Sequence, residues 1–185
     1  TAKIQNLSEI GEQLHIELNE GYILAVLHPV TENLGQMRDE LKAFTDALLK
    51  IDRQVIFIMP NNDVGHEIIH EAIVAANVKK IHRFKNLNRT TYLSLLRHCS
   101  CIVGNSSSGI LEAATYRTPA VNIGRRQQDR FQGHNVVNCE FLTEDIISAV
   151  KLAIDPLFKT NLQDKPNDPY GDGTASTQIS KILRE

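Results

Sequence analysis

The chain has 185 residues, 42% of them hydrophobic and 23% charged, which is room for one domain with a sizeable core and too little for two ordinary ones. A formal net charge of −2 and the lack of any long basic run argue against nucleic acid as a partner. The apolar runs are too short to cross a bilayer, and no charged start followed by an apolar stretch suggests a secretion signal, so a cytoplasmic setting is expected.

The chain opens on Thr1, not methionine, and without a strand. This reads as a fragment that lacks an N-terminal part. Residues 8–18 place Ile10, Leu14 and Leu18 at helical spacing, with Ser8 as the cap. Residues 22–27 are a continuous apolar run, as in a strand covered on both faces. A stripe of Leu34, Met37, Leu41, Phe44, Leu48 and Leu49 predicts an amphipathic helix ending at Lys50. Residues 54–59 repeat the buried-strand pattern, and Pro60-Asn61-Asn62-Asp63 turns the chain. A helix over 64–76, a weaker strand over 79–84 and a helix over 90–98, capped near Asn88 or Thr90, follow. Residues 101–104 make a third strong strand, 108–116 a short helix, 119–123 a further strand and 136–138 an edge strand. Residues 143–154 predict a helix with Thr143 as N-cap and Glu144 and Asp145 in its first turn, where the dipole favours acids. Residues 155–172 are rich in Pro, Asn and Asp and read as a loop, and 174–184 read as a terminal helix.

Strands alternating with helices predict an α/β fold: a single Rossmann-like parallel sheet with helices on both faces. Such sheets bind ligands at the carboxyl ends of their strands. The segments after Leu27, Met59, Gly104 and Ile123 are therefore the places to look for chemistry.

The strongest signal follows the strand at 101–104. There Gly104-Asn105-Ser106-Ser107-Ser108-Gly109 leads into a helix. Unpaired N–H groups at a helix start, three hydroxyls and two glycines suit a bound phosphate. Serines that merely cap the helix are the competing reading. Glu112, one turn on, is aimed either at the helix dipole or at a neutral diol such as ribose. His28, before Pro29, stands at the end of the first strand, where an imidazole could meet a phosphate or move a proton, or simply be exposed. Arg125, Arg126 and Arg130 follow the strand at 119–123 and are either phosphate ligands or a solvated charge run. Cys99 and Cys101 form a C-x-C pair that fits neither a zinc pattern nor a redox C-x-x-C, so the cysteines read as free thiols of a reducing compartment. No metal site or cofactor is indicated.

Taken in order, His28-Pro29, G-N-S-S-S-G-I-x-E, T-P-x-V-N-I-G-x-R-Q-x-x-R from Thr118, and Tyr170-Gly171-Asp172-Gly173-x-Ala175 resemble the C-terminal domain of the UDP-N-acetylglucosamine 2-epimerases. The likeness is greatest to the hydrolysing kind that supplies N-acetylmannosamine for sialic-acid synthesis, and it runs from Tyr22 onward. It implies the C-terminal half of a glycosyltransferase-B-type architecture, with the active site in the cleft between two Rossmann-like domains. It also implies UDP-N-acetylglucosamine and UDP as ligands, no cofactor, no nucleic acid or membrane partner, and a homodimer in the full-length protein. By resemblance Ser106, Ser107 and Gly109 bind the diphosphate, Glu112 binds the ribose, His28 is a catalytic histidine beside the phosphates, and Arg126 is a further UDP contact. Uracil is expected against residues 84–92. The proton-handling acids belong to the N-terminal domain, so this chain alone is expected to be inactive, with its last helix loosely docked or paired with a neighbouring molecule. A UDP-sugar glycosyltransferase, a non-catalytic nucleotide-binding module and a purely structural domain stay open as alternatives.

Overall fold

The computed structural model describes residues 3–30, 35–76, 79–164, 170–171 and 174–184. Its centre is a six-stranded parallel sheet: β1 (Ile23–Val26), β2 (Val55–Ile58), β3 (Ile81–Phe84), β4 (Cys101–Gly104), β5 (Ala120–Ile123) and β6 (Val136–Cys139). The strands lie in the order β3-β2-β1-β4-β5-β6. This is the order of a doubly wound dinucleotide-type fold, and it confirms the expected Rossmann-like class.

Side chains alternate across a strand, so a strand buried on both faces must be apolar at every position. Ile23, Ala25 and Leu27 enter one core with Val55, Phe57, Cys101, Val103, Val121 and Ile123. Tyr22, Leu24 and Val26 enter the opposite core with Ile56, Ile102 and Ala120. The first core is closed by α2 (Met37–Lys50), α3 (His66–Ala75) and α6 (Thr143–Ile154), and the second by α1 (Leu7–Leu14), α4 (Arg89–His98) and α5 (Glu112–Thr115). The predicted strands all form: 101–104 keeps its bounds, 136–138 gains Cys139, and the others are trimmed at one or both ends.

Several local expectations are corrected. Asn6, not Ser8, caps α1: its Oδ1 accepts from the Glu9 N–H at 2.9 Å while the Asn6 N–H donates to Glu9 Oε2 at 2.8 Å. This reciprocal box satisfies two otherwise orphaned donors, whereas Ser8 lies already inside the first turn. Thr143 is not a cap either. Leu142 holds that position, and the Thr143 hydroxyl donates to the Ala43 carbonyl, tying α6 to α2. The loop expected from 155 contains α7 (Pro156–Gln163), begun by Asp155 as cap with proline in the first turn. An Asp-Pro pair is as good a helix start as a turn. For helix 90–98, Asn88 is the cap. Asp172, Gly173 and Leu34 lie outside the described residues.

The terminal helix forms as α8 (Ala175–Ile182) and buries none of its residues; Ile179, Ile182 and Leu183 are exposed. Among the described residues, no helix is long and apolar enough to cross a membrane. All three cysteines are free, with Cys99 and Cys101 buried. Burial pushes the Cys101 and Cys139 thiols up to about 12, so neither is a ready nucleophile.

Candidate functional site

The sheet reverses its direction of growth at β1, which pairs with β2 on one side and β4 on the other. A crevice opens there at the carboxyl edge, because the flanking connections leave toward opposite faces. His28 follows β1, Asn105 follows β4 and Gly124-Arg125-Arg126 follows β5. The crossing is tight. Gly104 has φ +138°, and a Cβ there would lie 1.9 Å from the Val26 carbonyl oxygen.

Asn105 joins these three strand ends. Its side-chain amide closes a ring with the backbone of His28: the His28 N–H donates to Oδ1 at 2.8 Å, and Nδ2 donates to the His28 carbonyl at 2.8 Å. Its own carbonyl accepts from a guanidinium N–H of Arg126 at 3.1 Å and from Gln127 Nε2 at 3.0 Å. Asn105 and Gln127 are each 1% exposed. Neither was singled out from the sequence, although both stand inside the quoted motifs. Of the predicted residues, the structure therefore brings His28 and Arg126 to a common anchor, with Ser106 and Ser107 next in the chain.

Burial holds the His28 imidazole below its ordinary value of 6.5, the nearby Arg126 charge lowers it further, and Asp63 opposes them. Its Nδ1 is buried without a hydrogen-bond partner among the described residues. A half-buried neutral imidazole beside a guanidinium results. Stability follows. Below pH 6.5 the unfolded chain takes up a proton at this histidine that the folded chain refuses, so the contribution present above 6.5 is lost as pH falls toward the folded value. His82, also lowered by burial, adds a slope of the same sign. Urea midpoints measured from about pH 8 to about pH 5 should fall on the acid side, and His28→Gln should remove part of that fall. An unchanged slope in the variant would contradict this assignment.

The serine segment differs from the expected helix start. Residues 107–109 form a single 3₁₀ turn, Ser107–Gly109, and α5 has only four residues. The N–H groups of Gly109, Ile110 and Leu111 are bonded back to the carbonyls of Ser106 and Ser107, and that of Ser108 to the Ser106 hydroxyl. So short a helix has little dipole, and most of its first amides are occupied. Among the described residues, the Ser107 hydroxyl and the amides of Ser106 and Ser107 make no hydrogen bond. Those are the donors left for an anion. Gly109 is buried against β5, where a Cβ would rest 3.4 Å from that of Ala120, and its carbonyl accepts from Asn135. The close approach this glycine makes is to the sheet.

Glu112 opens α5 and is half-buried. It acts electrostatically on Tyr92, whose hydroxyl donates to Ser108 Oγ at 2.7 Å and whose phenol is held above its ordinary value chiefly by burial. That contact fixes α4, and with it the segment preceding it, to the serine turn. A cleft of about 1020 Å³ opens on the other side, lined by Pro29, Asp63, Arg125, Arg126, Glu140 and Phe141 among others, with none of Ser106, Ser107 or Glu112 in its wall. Among the described residues, no group of three or more His, Cys, Asp or Glu side chains is placed to hold a metal ion.

The family model described as UDP-N-acetylglucosamine 2-epimerase matches residues 2–184. The chain belongs to the UDP-N-acetylglucosamine 2-epimerase family. A relative described as UDP-N-acetylglucosamine 2-epimerase, from Neisseria meningitidis serogroup B, is 31% identical over 178 residues, covering 96% of this chain and 46% of that protein. Another, UDP-N,N'-diacetylbacillosamine 2-epimerase (hydrolyzing) from Legionella pneumophila, is 29% identical, covering 87% of this chain and 42% of that protein. Among solved structures, UDP-GlcNAc 2-epimerase from Methanocaldococcus jannaschii in complex with UDP-GlcNAc and UDP superposes with a TM-score of 0.72 at 18% identity, over 95% of this chain and 48% of that one. The fold is thus that of one half of the glycosyltransferase-B-type architecture found in this epimerase family. The chain spans less than half the length of the relatives it matches.

Proposed function

We propose that this chain is the UDP-binding half of a hydrolysing UDP-N-acetylglucosamine 2-epimerase. The observation that carries the reading is the joining of His28 and Arg126 through Asn105, at the switch point and directly ahead of the serine turn. The diphosphate lies against Ser106 and Ser107, whose turn is seated on the sheet by Gly109. Arg126 and His28 stand beside it, and Glu112 takes the ribose hydroxyls. Relatives described as hydrolyzing support the water-adding form of the reaction.

The chemistry is an elimination followed by an addition. The C2 proton is removed as the bond from C1 to the UDP oxygen breaks, leaving a glycal. Water then adds, its hydroxyl to C1 and a proton to C2, and N-acetylmannosamine is released. The departing diphosphate gains negative charge, so donors already fixed by the fold stabilise the transition state more than the bound substrate. A neutral His28 can donate an N–H to a phosphate oxygen and pass a proton to the leaving group.

The groups that handle the C2 proton are expected in the other half of the protein, and the chain's share of its relatives' length supports this. The exposed apolar side of α8, with Ile179, Ile182 and Leu183, is where that half or a second copy of the protein packs. Calorimetric titration of this chain should show one-site binding of UDP, and an assay with UDP-N-acetylglucosamine should show no turnover. Protein carrying both halves should release free N-acetylmannosamine. No heat with UDP, or turnover by this chain alone, would overturn the reading.

A further inference from the structure

Asn105 carries no charge and is almost fully buried, yet it makes four hydrogen bonds to the segments that follow β1 and β5. Asparagine fits this place because its amide offers a donor and an acceptor side by side, matching the carbonyl and N–H of one residue, His28. An ionised aspartate would set a second acceptor against the His28 carbonyl, and an aliphatic side chain would leave both backbone groups unmet in a buried setting. Gln127 points the same way. Its Nε2 donates to the Asn105 carbonyl, while its buried Oε1 has no partner among the described residues. The side chain thus serves as a prop for Asn105.

We propose that Asn105 is a positioning residue, propped by Gln127, that holds the His28 imidazole and the Arg126 guanidinium at one fixed spacing on the ligand side of the sheet. Its ligand-binding consequence rests on the UDP reading above. Its structural consequence does not. The amide ring fixes the backbone from which the imidazole projects. The Asn105 carbonyl holds the guanidinium at the end of a long, otherwise mobile side chain, removing freedom that ligand binding would have to remove. The charged groups acting on His28 are Arg126 from the segment after β5 and Asp63 from the segment after β2, and Asn105 itself is neutral.

The test compares the full chain with Asn105→Ala and Gln127→Met, using three readouts: thermal unfolding, the NMR titration of the His28 ring without ligand, and calorimetry with UDP. In Asn105→Ala the side-chain ring with His28 is lost while the backbone carbonyl that holds Arg126 remains, so the released His28 segment should let the His28 midpoint rise toward that of an ordinary imidazole and UDP should bind about tenfold more weakly. Gln127→Met keeps the amide ring and loses one prop, so UDP binding should weaken roughly threefold while His28 titrates as before. A merely structural asparagine would lower the melting temperature and leave the His28 midpoint unmoved; that result in folded Asn105→Ala overturns the proposal. Should Asn105→Ala fail to fold, Gln127→Met decides, and parental UDP affinity in it counts against the proposal. If the parent chain shows no UDP binding, the functional reading fails while the His28 titration still decides this one.

Discussion

Gly104→Ala is expected to destabilise the chain by about 3 kcal/mol or more, read as a lower urea midpoint. Two effects add. At φ +138° an L side chain is strained whatever room it has. The new methyl would also sit 1.9 Å from the carbonyl oxygen of Val26, with that peptide's carbon 2.7 Å away. Neither atom is the tip of a flexible side chain. Val26 pairs with Gly104 in the central ladder, and Gly104 pairs in turn with Asn122 of β5. Relief would require prising β1 from β4 where the ligand crevice opens, so UDP binding should fail along with stability. The same substitution at Gly109 provides the contrast. It would meet Ala120 at 3.4 Å, a contact that a small shift relieves. A loss at 104 of under about 1 kcal/mol would show that the strands can separate there cheaply.

Glu112→Ala and Ser107→Ala should both weaken UDP binding but separate on a second ligand. If Glu112 holds the ribose hydroxyls, its removal deletes charge-assisted hydrogen bonds and should cost about tenfold to a hundredfold in UDP affinity. Inorganic pyrophosphate carries no ribose. Its affinity should be unchanged or slightly better in Glu112→Ala, because a carboxylate near the anion has gone. Ser107→Ala should weaken both ligands by several-fold, because its hydroxyl serves the phosphates. Titration calorimetry with the two ligands gives all four numbers. Equal losses for UDP and pyrophosphate in Glu112→Ala would remove the ribose role, and an unaffected Ser107→Ala would move the diphosphate elsewhere on the edge.

Much of the fold was legible in the sequence. Runs such as 22–27 and 101–103 are apolar at consecutive positions, as a strand covered on both faces requires, and in the fold their successive residues enter opposite cores. The ordered motifs from His28 to Arg130 carried the family assignment, because motif order is a property of the chain. Local punctuation was less dependable. Ser8 and Thr143 were plausible caps by type, but a cap is decided by which residue turns first, and Asn6 and Leu142 did. Asp155-Pro156 was equally fit to start a helix or a turn.

Composition, strand periodicity and motif order by themselves determined a two-faced parallel sheet and its epimerase family, and pointed to the carboxyl edge as the place for the site, since each is read along the chain without knowing which segments meet. Only the tertiary structure decided how that edge is built. The amide ring between His28 and Asn105 spans 77 residues, and the bonds from Arg126 and Gln127 to Asn105 span 21 and 22. Partners so far apart are set by the β1-β4-β5 pairing, which no local pattern records. The serine turn likewise spends most of its amides on itself, because its geometry is settled by packing against β5.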